Sequence, residues 1–160
     1  WIDKYNFIWD DKLDHKTITD WDISLFVKPK CGEKIYSYLD EKLYLDKNLV
    51  KDADWGVEQL RKMGYRVIFI TSNSFNMGGV KFDWLNRNGF EVGKKDYFEC
   101  GEKSLVKFNL LLDDNYVNVL SSGKRGVLFT QSWNLKNKHP RRVSSWKEFI
   151  KNIKENRYGL

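Results

Sequence analysis

Residues 103–114 read Lys-Ser-Leu-Val-Lys-Phe-Asn-Leu-Leu-Leu-Asp-Asp (KSLVKFNLLLDD), and the reading of the chain turns on them. Leu110-Leu111-Leu112 is an unbroken apolar run, as expected of a strand buried on both faces. Asp113 and Asp114 follow at once. Adjacent carboxylates repel and cost stability unless a positive group sits beside them. A magnesium ion would satisfy the pair, since it takes hard oxygen ligands and keeps several waters. A turn or helix cap uses the same residue types. Lys103 lies ten residues before Asp113, at the start of a short helical stretch leading into the strand. From there it either reaches the strand end or stays a surface lysine.

Outward from this stretch the same texture repeats. Val67-Ile68-Phe69-Ile70 is a second apolar run, followed by Thr71-Ser72-Asn73-Ser74, and Val127-Leu128-Phe129 is a third, followed by Thr130-Gln131-Ser132. Helical patterns separate them. One spans Ala53 to Met63, with Asp52 as a possible cap and Gly64 as the stop. Another spans Val80 to Asn88, closed by Gly89, and a last one opens at Ser145, where Glu148 completes a capping box. Helix alternating with buried strand predicts an α/β fold with a parallel sheet. Ligands of such sheets bind beyond the carboxyl ends of the strands, where all three polar clusters should open. Thr71 and Ser72 offer hydroxyl donors to a phosphate oxygen there, or plain turn chemistry.

Residues 1–48 differ from the rest. Ile2, Tyr5, Phe7, Ile8 and Trp9 crowd together, and a second helical pattern runs from Cys31 to Leu39 after Pro29. This predicts a small helical subdomain over 1–48 and an α/β core over 49–160. Hydrophobic residues make up 41% of the 160, enough to fold, and 28 basic against 22 acidic residues leave a charge of +6 that favours an anionic partner. The basic residues do not cluster. Arg141-Arg142 is the densest pair and reads as solvated surface, and the lack of a basic, aromatic groove argues against nucleic acid as partner. Cys31 and Cys100 make no disulfide framework, and His15 and His139 no zinc site. With no apolar run of membrane-spanning length and no apolar leader, a reducing cytoplasm is the expected compartment, and a homodimer is possible.

The order of these segments resembles the haloacid-dehalogenase-like phosphohydrolases, and more finely the 5'(3')-deoxyribonucleotidases of bacteria and phages. The resemblance is carried by Val67 to Ser72, by Lys81 to Asn86 (KFDWLN), by Lys103 to Asp114, by Gly126 to Thr130 (GVLFT) and by the Ser145-Trp146 helix start. Thr17 to Ser24 (TITDWDIS) resembles the family's cap. The resemblance implies a Rossmannoid parallel sheet with a helical cap, and magnesium-dependent hydrolysis of (deoxy)ribonucleoside monophosphates through an aspartyl-phosphate. It implies that Thr71 hydrogen-bonds the transferring phosphoryl group, that Ser72 and Asn73 hold the substrate, and that Lys103 neutralises phosphate oxygens. Asp114 would coordinate magnesium, with Asp113 supporting it.

The family opens with an apolar strand ending in Asp-x-Asp, and no such segment precedes Trp1. The nucleophile is therefore expected upstream of Trp1, within roughly 15–25 residues that hold a strand and its loop. The only Asp-x-Asp followed by a small hydroxyl residue, Asp20-Trp21-Asp22-Ile23-Ser24, has no buried strand before it and reads as a decoy. The family's first strand lies between the other two, so 67–70 and 110–112 should not pair directly; a gap of ~10 Å should separate them. A non-catalytic nucleotide-binding remnant and a polynucleotide end phosphatase are the competing functions. Trp21 and Phe26 are candidates to stack on a base.

Overall fold

Aromatic side chains organise the first third of the chain in the computed structural model, which describes residues 1–72 and 77–160. Helix α1 (Ile2–Trp9) buries Tyr5 completely, against Ile18, Ile23, Val27, Cys31 and Ile35. A buried phenol needs partners, and the Tyr5 hydroxyl has two: it accepts from Lys28 N at 2.8 Å and donates to Asp11. The stretch expected as a helix at Cys31–Leu39 is instead a 3-10 helix over Gly32–Tyr38. Its Ile35 carbonyl, which an α-helix would offer to Leu39 N, accepts from the Trp1 indole at 2.7 Å, and Leu39 N turns to Tyr36 O. A short helix, α2 (Glu41–Leu45), capped by Asp40, leads out.

Helix α3 (Ala53–Lys62) starts after Asp52, whose φ of 62° is left-handed and whose side chain makes no cap bond, contrary to expectation. Gly64, at φ 86°, turns the chain out of the helix as expected. The next elements are β1 (Phe69–Thr71), α4 (Gly78–Arg87), β2 (Tyr97–Glu99), β3 (Leu111–Asp113), α5 (Tyr116–Ser121), β4 (Gly126–Phe129), β5 (Arg142–Val143) and α6 (Trp146–Lys154). In the core each expected strand and helix is present, with ends displaced by at most two residues. Ser145 caps α6 by accepting from Glu148 N, but the capping box is half made: the Glu148 carboxylate takes Ser144 N and its hydroxyl.

The described strands pair in parallel, yet in two separate sheets, β1-β2 and β3-β4-β5. The two families of strands face each other across an apolar slot of about 1040 Å³, walled by Ile68, Ile70, Leu110, Leu112, Trp146 and Phe149. Strands 67–70 and 110–112 thus do not pair, as expected from the family sheet. The slot corrects another expectation. β1 is half-buried rather than buried on both faces, because it pairs on one side only, whereas β4, paired on both sides, is buried throughout. Around this frame α3 packs on α6 where Gly56 admits the Trp146 ring; a Cβ there would lie 2.2 Å from Trp146 Cε3. Val127, Val143, Phe149, Ile150 and Ile153 form one core, and Ala53, Val57, Phe90 and Val92 another.

Candidate active site

The carboxyl end of β3 carries a dense polar arrangement. Asp113, 7% exposed, is fully engaged. Its Oδ2 accepts from Lys103 Nζ at 2.6 Å and from Asn118 Nδ2 at 3.2 Å, and its Oδ1 accepts from Asn115 N at 2.8 Å. The turn reading of the acidic pair is therefore half right: Asp113 closes a turn, while the cap of α5 is Asn115, which accepts from Val117 N and Asn118 N. Lys103 opens a 3-10 turn, Lys103–Leu105, and its ammonium is largely shielded. Asp114 differs from its neighbour. Burial and then the adjacent charge of Asp113 push its carboxyl up to about 6. The Lys103 charge offsets only part of that rise.

The carboxyl end of β1 lies nearby. Thr71 O accepts from Cys100 N at 2.8 Å, so the chain leaves β2 beside Thr71 and reaches Lys103 within three residues. Thr71 Oγ1 accepts from Lys81 Nζ at 2.8 Å, and Ser72 O accepts from the same ammonium at 2.7 Å. Burial, and then repulsion from Lys103, holds the Lys81 ammonium below the usual lysine range. Lys81 thus joins Thr71 and Ser72 at the end of β1, Lys103 joins Asp113 at the end of β3, and the two ammonium groups are close enough to repel. Asn73 lies outside the described residues.

Lys81 was not singled out from sequence. Its signal is faint: a lysine in the first turn of α4, the helix that follows the β1 loop. A helix N-terminus already favours anions, and an ammonium there adds to the same field. Among the described residues no group of three His, Cys, Asp or Glu side chains could hold a metal by itself. The donor set still suits a hard cation that keeps waters, because burial and Asp113 disfavour the charged Asp114 carboxylate more than Lys103 favours it, and the Asp113–Lys103 pair is already neutralised.

The decoy behaves as local turn chemistry. Asp22 Oδ1 accepts from Ser24 N, Ser24 Oγ and, at 2.6 Å, Tyr36 Oη, while Asp20 accepts from Asp22 N. Phe26 packs against the Tyr5 core. Trp21 is 57% exposed and meets Trp133 edge-on, with centroids 6.2 Å apart. Ser132 Oγ to His15 O and Lys136 Nζ to Thr19 Oγ1, both 3.4 Å, add to this seam between residues 15–21 and the loop after β4.

The family described as "5' nucleotidase, deoxy (Pyrimidine), cytosolic type C protein" matches residues 1–157. The chain belongs to this nucleotidase family. Among curated relatives, a 5'(3')-deoxyribonucleotidase of Clostridium acetobutylicum is 28% identical over 149 residues, 92% of this chain and 82% of its own. Those of Bacillus subtilis and Bacillus phage SPbeta are each 24% identical over 155 residues, 96% of this chain and 88% of theirs. Membership makes this α/β protein a haloacid-dehalogenase-like nucleotidase, in line with its parallel strands. No described helix is long and apolar enough to cross a membrane.

Proposed function

We propose that this nucleotidase is a magnesium-dependent phosphatase of (deoxy)ribonucleoside monophosphates. The observation that carries the reading is the Lys103–Asp113 ion pair at 2.6 Å beside the buried Asp114, with Lys103 close enough to repel the Lys81 ammonium that binds Thr71. Phosphoryl transfer needs positioning and charge stabilisation more than covalent help from many groups. Thr71 Oγ1, with Ser72 and Asn73, orients the phosphoryl group. Lys81 and Lys103 offset its oxygens. Asp114 holds the magnesium ion, and Asp113 keeps Lys103 in place. When bound, the metal adds charge neutralisation at the phosphate.

The nucleophile in this reading is a carboxylate on a further apolar strand that fills the slot between β1 and β3. Support for that strand comes from the slot's apolar walls and from the one-sided pairing of both neighbours. Its carboxylate oxygen bonds phosphorus as the ester P–O bond breaks, and a second carboxylic acid protonates the departing nucleoside oxygen. Water then cleaves the acyl phosphate, releasing phosphate and the free carboxylate. Residues 1–48 serve as the cap over sugar and base, with Trp21 at its seam, and 49–160 as the core. The test is phosphate release from dUMP and dTMP by the full-length protein, with magnesium or EDTA. Turnover that needs magnesium and is lost in Asp114→Asn is expected. Binding of nucleotide without any turnover would turn the reading into that of a non-catalytic remnant.

A further inference from the structure

We propose that Asn134, clamped by Arg142, is a positioning residue that fixes the main chain of Asp114 and so aims its carboxylate; the inference rests on the reading of Asp114 as the magnesium-binding residue. Asn134 is only 1% exposed. Its Nδ2 donates to Asp114 O and to Phe129 O, both at 2.8 Å. Its Oδ1 accepts from Gln131 N at 3.1 Å and from Arg142 Nη1 at 3.0 Å. The side chain therefore uses both donors and both acceptor positions of its amide. A buried amide satisfied on every side has one orientation, and its neighbours share that rigidity.

The location explains what this rigidity serves. The paired register of β3 with β4 runs to Asp113↔Leu128. Asp114 and Phe129 are the next residues of each strand, where the ladder between them has ended and their carbonyls need other donors. The Asn134 amide supplies both at once and ties the two strand ends together where the sheet no longer does. Arg142 secures the amide in turn. Its Nη1 also donates to Thr130 Oγ1 at 3.2 Å, and its Nη2 donates to Asn134 O at 2.8 Å and to Asn137 O. The sequence reading took Arg142 for a solvated surface charge. Instead it spends its guanidinium on neutral oxygens around one turn, and among the described residues it has no carboxylate partner. The stability of the turn alone does not call for a contact to Asp114, and that contact is the one that links the network to the chemistry.

The test measures magnesium affinity by calorimetry on full-length protein, alongside Tm in EDTA. Asn134→Leu removes all four amide bonds at similar volume. Arg142→Gln is milder and leaves the Asn134 donors in place, which keeps the test open should the first variant fail to fold. Removing partners behind a metal-holding residue costs roughly 10–100-fold in affinity. Weakening in that range is expected for Asn134→Leu, and a smaller weakening for Arg142→Gln. A purely structural network would lower Tm and leave the affinity unchanged, and that result in a folded variant would overturn the proposal. Asp114→Asn separates the two levels. If it abolishes binding while the other variants bind like wild type, only the positioning role falls. If Asp114→Asn itself binds like wild type, the reading of Asp114 falls and takes this inference with it.

Discussion

Replacing Asp114 by Asn tests the electrostatics of the site without any substrate. The carboxyl is raised from an ordinary 3.8 to about 6, first by burial and then by Asp113. Its native state therefore holds a proton that the unfolded chain releases at lower pH. Between about pH 4 and pH 6 the native state binds more protons than the unfolded one, so stability falls as pH rises. Above pH 6 the penalty is constant. Two pH units correspond to at most ~3 kcal/mol, and about 1–2 kcal/mol is the working expectation because the side chain keeps some contact with solvent. Asn carries no charge and recovers that amount. In urea unfolding with EDTA at pH 7.5, Asp114→Asn should be the more stable protein by ~1–2 kcal/mol. At pH 4 the two should nearly coincide. Magnesium at ten times its Kd should add about 1.4 kcal/mol to the wild type and nothing to the variant. An Asn variant that is less stable in EDTA at pH 7.5, or a difference that is the same at both pH values, would refute the assignment of Asp114 as an acid raised by burial.

Lys103→Met should be costly, because it strands Asp113, whose side chain is 4% exposed, without its cation; a loss of ~3–5 kcal/mol is expected in urea unfolding and part of it should return in the Lys103→Met, Asp113→Asn double variant. Lys81→Met removes the donor to Thr71 Oγ1 and Ser72 O from a half-buried position. Steady-state phosphate release should show KM for a nucleoside monophosphate raised by about tenfold, with thermal stability little changed. Gly56→Ala would drive a methyl to 2.2 Å from the Trp146 ring, so calorimetry should record ~1–3 kcal/mol of destabilisation while kcat stays near wild type.

Much of the α/β core is written in one-dimensional pattern. The runs at 67–70, 110–112 and 127–129 announce strands because three or four consecutive apolar residues have no exposed face to offer. Helix stops at Gly64 and Gly89 are legible because each takes a positive φ that other residues avoid. That Lys103 reaches the end of the 110–112 strand was readable from spacing and family order together; its ion pair with Asp113 was not, because that order assigns the lysine to phosphate oxygens. The 3-10 character of Gly32–Tyr38 was not, because it depends on the Trp1 indole capturing the Ile35 carbonyl from 34 residues away. Nor was the role of Arg142, since a basic pair looks the same in sequence whether it faces water or a ring of carbonyls.

The sequence by itself determined which segments are strands and helices, which strand ends carry polar chemistry, and which family the order of motifs resembles. Those properties rest on local periodicity and on residue type, which neighbours along the chain suffice to define. Only the tertiary structure decided that the strands divide into two sheets around a slot, that Asp113 is ion-paired while burial raises Asp114, and that Asn134 ties β3 to β4. Each of these depends on distances between residues remote in sequence, and hydrogen-bond satisfaction and desolvation act through those distances rather than along the chain.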